Sequence, residues 1–115
     1  MSFTDLVPAP TTSCSQAPTR ESIGTDTANT MAISFKALAD PTRLRLVSMV
    51  TAHAEGGACM CDLTEPLGLS QPTVSHHLKV LVEAGILHRA KRGTWAYYIL
   101  VPGSLDSIAA LLSKI

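Results

Sequence analysis

No stretch of this chain approaches the roughly 20 apolar residues that a membrane-crossing helix needs, so no membrane partner is expected. Residues 1–30 lack a basic start followed by an apolar run, and no secretory signal is visible. Three cysteines, an odd number, argue against a disulfide framework. These absences point to a cytoplasmic protein whose thiols stay reduced and available. The formal net charge is zero, so the overall balance does not indicate nucleic acid. There is no internal repeat. A nucleophile–base constellation and a phosphate-binding loop are both missing, which argues against an enzyme and against a small organic substrate.

What is present is local. Between positions 70 and 98 stand Lys79, Arg89, Lys91 and Arg92 against Glu83 alone, with His76, His77 and His88 able to add charge. Such a surplus is the footprint a small DNA-binding face leaves. Just ahead of it lies a close thiol pair, Cys59-Met60-Cys61.

Residues 1–28 are rich in Ser, Thr and Pro and bury too little apolar area to offset their ordering entropy. They are expected to form a mobile N-terminal arm, leaving residues 29–115 as one domain. A core that small is marginal alone, and dimerisation would bury more apolar surface. Met31, Phe35 and Leu38 recur at helical spacing from about Thr27 to the Asp40-Pro41 boundary. Asp40 is placed to cap a second helix through about His53, with Leu44, Val47 and Val50 facing inward and Gly56-Gly57 closing it. A short third helix from about Cys61 to Leu67 ends at Gly68. Ser70 then caps a fourth, in which Val74, Leu78, Leu81 and Val82 form one buried stripe. Positions 87–91 and 94–100 read as two strands around Arg92-Gly93. A last helix from Ser104 carries Leu105, Ile108, Ala109, Leu112 and Ile115 along one face. Mainly helical with one small β-hairpin, this order is that of a winged helix-turn-helix.

In such a fold the helix after the tight turn lies in the major groove and presents its N-terminal residues to base edges. Those residues are Ser70, Gln71, Thr73, Ser75, His76 and Lys79. Gln can pair with adenine, and hydroxyls serve bases or phosphates. Lys91 and Arg92 fall at the hairpin tip, where a wing reaches the backbone or minor groove. Double-stranded operator DNA is therefore the expected partner. Polar residues on an exposed helix face are also ordinary solvated surface, and only the whole set with turn and wing indicates DNA. His76 and His77 point about 100° apart on a helix, so they do not share one metal easily. His53 and Glu55 read as a solvated helix end.

Several motifs carry a family resemblance. Ala37-Leu38-Ala39-Asp40-Pro41-Thr42-Arg43-Leu44-Arg45, Ser70-Gln71-Pro72-Thr73-Val74-Ser75-His76-His77-Leu78, Glu83-Ala84-Gly85-Ile86-Leu87 and Gly93-Thr94-Trp95-Ala96-Tyr97-Tyr98 together resemble the ArsR/SmtB family of metal-responsive repressors. The resemblance implies a homodimer, joined through its first and last helices, that binds an operator and releases it when a metal or metalloid binds. Cys59-Met60-Cys61-Asp62-Leu63 resembles the thiolate box of the family's arsenite and cadmium/lead branches. Arsenite sensors place a third cysteine three residues after the second, where this chain has Thr64. Cys14, in the arm, is the remaining thiol. The family's other sensing site, of histidines and carboxylates on the last helix, has only Asp106 to draw on here.

Thiolates select soft ions. Trivalent arsenic takes three sulfurs in a pyramid, so Cys59, Cys61 and Cys14 suffice for arsenite. Cadmium or lead, the alternative effectors, want a fourth ligand such as Asp62, a histidine or water. On a regular helix residues i and i+2 lie about 200° apart, so Cys59 and Cys61 converge only at a helix start or in non-helical backbone. Pro66, costly deep in a helix, places that start near Asp62 or Leu63. The dipole at a helix N-terminus also favours thiolate there. A redox switch using the same pair is a further alternative, although an i,i+2 disulfide is geometrically awkward. The bland reading is a DNA-independent module with cysteines as small buried hydrophobes.

Overall fold

The computed structural model describes residues 16–53 and 57–115. Cys14 and the first half of the expected arm lie outside the described residues. Helix α1 spans Thr25–Leu38, two residues earlier than the periodicity suggests, and buries Met31 and Ala37. Ahead of it Arg20 donates to the main-chain oxygens of Lys114 at 2.9 Å and Ile115 at 2.7 Å, joining this segment to the last helix.

Helix α2, Pro41–Ala52, starts as its sequence dictates. Asp40 caps it by accepting the Arg43 N–H at 3.1 Å, and Pro41 fills the first position, where no N–H is needed. Its buried residues are Leu46, Val47 and Val50, while Leu44 is 53% exposed. This corrects the expected inner face. Along 44, 47 and 50 each three-residue step falls about 60° short of a full turn, and Leu46 and Val50 centre the stripe away from Leu44.

Two residues, Ala58–Cys59, form strand β1, which is too short to show in the sequence pattern. They pair antiparallel with β3, Ala58 opposite Tyr98 and Cys59 opposite Tyr97. The expected hairpin is therefore part of a three-stranded sheet in the order β1-β3-β2. Strand β2 is Leu87–Arg92, and β3 is Trp95–Leu100. Arg92 faces Trp95 across a two-residue turn whose first residue, Gly93, has φ +63°, as a tight hairpin requires. Gly57 leads into β1 at φ +80°, and a Cβ there would lie 2.6 Å from the Tyr98 carbonyl oxygen. Only glycine lets the chain approach β3 this closely.

Helix α3, Met60–Leu67, ends at Gly68 in the left-handed conformation. It starts earlier than expected, and Pro66 sits in its last turn rather than its first. Proline near a C-terminus removes one bond from a helix about to end, so it does not mark the start. Helix α4, Gln71–Glu83, is capped by Ser70, which accepts the Thr73 N–H at 3.4 Å. It buries Val74, Leu78 and Leu81, three of the four expected residues, with Val82 half-buried. Helix α5 is Ser104–Ser113. The core comprises Leu46, Leu63, Val74, Leu78, Leu81, Ile86 and Leu87, all fully buried where α2, α3 and α4 meet the sheet. Within one chain α5 buries none of its residues completely, and Ile33, Leu112 and Ile115 stand 58%, 52% and 60% exposed.

Asp40 also joins α2 to α4. Arg43 donates from Nε to the Ala37 carbonyl at 2.6 Å and contacts His77 Nδ1 at 3.2 Å, and His77 lies 4.0 Å from the Asp40 carboxylate. The Arg43 N–H, aided by the nearby His77 and Arg43 charges, holds the Asp40 carboxyl below its usual range. A depressed carboxylate stabilises the fold above its unfolded value, and that contribution is lost as pH falls through the folded value. Asp40→Asn keeps a good cap and removes the charge. Thermal unfolding is expected to show the wild type more stable at neutral pH, with the gap closing in acid. A gap independent of pH would contradict the assignment.

Candidate thiol site and nucleic-acid interface

Cys59 ends β1 with extended backbone, φ −83° and ψ 164°, and acts as the N-cap of α3, in which Cys61 is the second residue. The change from extended to helical backbone between them turns both side chains to the same side. Their sulfurs stand at disulfide-bonding distance, with the Cα atoms 5.5 Å apart. The pair converges at a helix start, as its i,i+2 spacing requires. Cys59 is buried and Cys61 exposed. Asp62 accepts the Cys59 N–H at 3.0 Å, and the donor atoms of Cys59, Cys61 and Asp62 all lie within 4.8 Å of one another. Thr64, where a third thiol was sought, instead donates its hydroxyl to the Met60 carbonyl at 2.7 Å.

The site has a fourth neighbour, whose position in the sequence suggests only a solvated helix end. His53 follows the last residue of α2, and its Nε2 lies 3.8 Å from Asp62 Oδ2. Its Nδ1 is 2.9 Å from the Met49 carbonyl. His53 and Cys59 flank the sharp Gly57 entry, so spacing alone does not reveal that they converge.

Ser70, Gln71, Thr73, Ser75 and His76 are all exposed at the N-terminal end of α4. Ser70 and Thr73 share a hydroxyl contact of 2.8 Å. Lys79, one turn further, is exposed but sits 3.9 Å from Glu83. Lys91 and Arg92 are exposed at the hairpin end, and the Arg92 guanidinium stacks over the Tyr97 ring at 4.7 Å. His77 turns inward to Arg43 and Asp40, unlike His76.

An open cavity of about 690 Å³ separates α3, the start of α4 and the sheet, and Cys61, Gln71, Ser75, Arg89 and Trp95 are among its lining residues. Arg89 and Trp95 were not singled out from sequence. Arg89 is one of the four cations of the local surplus and β2 brings it beside α4, while Trp95, in the last strand, is 60% exposed. Cys61 and the start of α4 thus border one hollow. Among the described residues no helix is long and apolar enough to cross a membrane.

Comparison with known proteins matches residues 40–89, from the cap of α2 into β2, to the arsR family of bacterial regulatory proteins. An uncharacterized HTH-type transcriptional regulator of Methanocaldococcus jannaschii is 38% identical over 81 residues, 70% of this chain and 89% of its own length. The chain belongs to the ArsR family. The arsenical resistance operon repressor of Bacillus subtilis is 44% identical over 80 residues, covering 70% of this chain and 71% of that one. Among solved structures, the AntR antimony-specific transcriptional repressor superposes with a TM-score of 0.66 at 29% identity, covering 94% of each chain. This ArsR-family chain is therefore a winged helix-turn-helix transcriptional regulator and not an enzyme.

Proposed function

We propose that this chain is a repressor that binds operator DNA as a homodimer and releases it when arsenite binds its thiolates. The observation that carries the reading is the convergence of Cys59 and Cys61 at the start of α3, with Cys61 facing the hollow that the recognition helix and sheet enclose. Trivalent arsenic is thiophilic and takes three sulfurs. Two are in place, and Cys14 is the third ligand in this proposal. The pair suits a soft ion bound in cytosol, where thiols stay reduced. The AntR relative is named antimony-specific, and trivalent antimony shares the pyramidal preference of trivalent arsenic.

In the DNA-bound dimer α4 enters the major groove, and Ser70, Gln71, Thr73, Ser75, His76 and Lys79 face bases or phosphates. Lys91 and Arg92 hold the flanking backbone. The exposed apolar side chains Ile33, Leu112 and Ile115 face a second copy, which would remove their surface from water. Filling the thiol site shifts α3 relative to α4, and the dimer no longer presents its two recognition helices at the operator spacing.

The test is operator affinity of the reduced protein, at fixed salt, with and without arsenite, antimonite, cadmium or lead. Release by the trivalent ions supports the reading, and release by cadmium or lead alone replaces it with the divalent alternative. The contact between the two sulfurs also favours a second reading, a thiol-redox-responsive repressor. Release by peroxide in metal-free buffer, without response to arsenite, would select it.

A further inference from the structure

We propose that Arg89, on β2, seats one phosphodiester of the bound DNA backbone in the trough between α4 and the sheet, with Gln71 and Ser75 as its partners across that trough. The inference rests on the proposed reading of α4 as the helix that enters the major groove. It goes beyond that reading in adding a residue outside the helix and the hairpin tip, and in dividing the polar residues of α4 between backbone and bases.

The register of the sheet places Arg89. Leu87, Arg89 and Lys91 alternate onto one face of β2, opposite Leu100, Tyr98 and Ala96 of β3. Leu87 and Tyr98 on that face are buried in the core. Arg89 therefore stands on the inner face of the sheet, yet it is exposed. Two hollows open there against α4, of about 690 Å³ and about 230 Å³, and Arg89 and Ser75 line both. Gln71 lines the larger and Lys79 the smaller. Positions 71, 75 and 79 recur every four residues, so they form one stripe of α4, and that stripe faces Arg89.

The charges around the trough favour an anion. Glu65, from α3, is the one carboxylate among the residues lining either hollow. Ion pairs among the described residues join His53 to Asp62, His77 to Asp40 and Lys79 to Glu83, and none engages Arg89. A guanidinium set across from an amide and a hydroxyl suits the two free oxygens of a phosphodiester. The plain alternative is a solvated surface arginine. Solvation accounts for a cation on the outer face of a sheet, but gives no reason for one on the face that otherwise packs the core.

The same geometry divides α4. Thr73 and His76 are exposed and line neither hollow. They lie about 160° and about 100° around the helix from Ser75, on the front that meets base edges when the helix enters a groove. Phosphate contacts position a protein and base contacts specify sequence, so Arg89 and the stripe facing it belong to the first kind. The chain's single tryptophan, Trp95, lines the larger hollow and reports on what fills it.

The experiment measures anisotropy of a labelled operator fragment, and of an unrelated duplex, over a series of salt concentrations with the reduced full-length protein. Wild type is compared with Arg89→Ala, Arg89→Lys and Arg45→Ala, Arg45 being an exposed cation on α2 that lines neither hollow. Loss of a charged hydrogen-bond donor should weaken Arg89→Ala about 10-fold or more on both duplexes. Its slope of log affinity against log salt should become shallower by about 1, the change for one phosphate contact. Arg89→Lys keeps the charge and should keep the slope, but binds more weakly because an ammonium lacks the guanidinium fork. Arg45→Ala should leave affinity and slope unchanged, and Trp95 emission should change when wild type takes up either duplex. An unchanged slope in Arg89→Ala overturns the inference, as does a loss confined to the operator, which would make Arg89 a reader of bases. Equal changes in Arg45→Ala overturn it too, since overall charge would then explain them. Trp95 emission unmoved by saturating duplex also overturns it, because the trough would then stay empty. Absence of salt-dependent operator binding by the wild type removes the proposed function itself.

Discussion

In Cys59→Ser the operator is expected to be bound as in the wild type, and arsenite is expected no longer to release it. The substitution is chosen for what it spares. Cys59 is the N-cap of α3, and serine is among the best residues at that position, so the helix start is preserved. The Cys59 backbone N–H still reaches Asp62, and the pairing of β1 with β3 uses main chain alone. What disappears is one of the two sulfurs that meet at the start of α3. Allosteric couplings of this kind are typically about 1–3 kcal/mol, or about 5–150-fold in affinity. Anisotropy of a labelled operator fragment at one salt concentration should show a loss within that range for the wild type on adding arsenite. The variant should show none. An arsenite response of wild-type size in Cys59→Ser would remove the thiol pair from the mechanism.

Leu78→Ala is expected to cost about 2–5 kcal/mol of stability, the usual range when a fully buried leucine is cut back to alanine. Leu78 is 0% exposed on the inner face of α4, packed with Leu46, Leu63 and Leu81. Domains of this kind are commonly stable by about 5–15 kcal/mol, so the loss is a large share of the total. Lys79, the next residue, is exposed, and Lys79→Ala should change stability by no more than about 0.5 kcal/mol. Urea unfolding midpoints of the two variants separate the roles of adjacent residues on α4. A cost below about 1 kcal/mol for Leu78→Ala would mean that α4 is not anchored through this face.

Much of the architecture was legible because its signals are local. Asp40-Pro41 and Ser70 with Pro72 mark helix starts through bonds made within three residues, and the structure contains those bonds. Gly68 and Gly93 sit where only a residue with positive φ is comfortable. The stripe of Val74, Leu78 and Leu81 follows from helical period alone. The inner face of α2 was less legible, because apolar residues occupy more than one side of that helix and packing chooses between them. The family motifs were legible for the same local reason, being runs of neighbouring residues.

The thiol site divides differently. That Cys59 and Cys61 are a pair near a helix start was determined by the sequence, through their spacing and the geometry of a helix. Strand β1 is another matter: two residues are too few to show alternation, and they become a strand only by pairing with β3 some forty positions later. That pairing depends on Gly57, whose missing side chain admits the Tyr98 carbonyl. It sets the extended backbone of Cys59 and so the direction of its sulfur. The approach of His53 to Asp62, and of Arg89 to the start of α4, are likewise products of helices and strands packing on one core. Bonds along the chain determined the elements and the order of a winged helix-turn-helix. Only the tertiary structure decided which distant side chains complete its sites, because contacts between elements depend on how their buried faces meet.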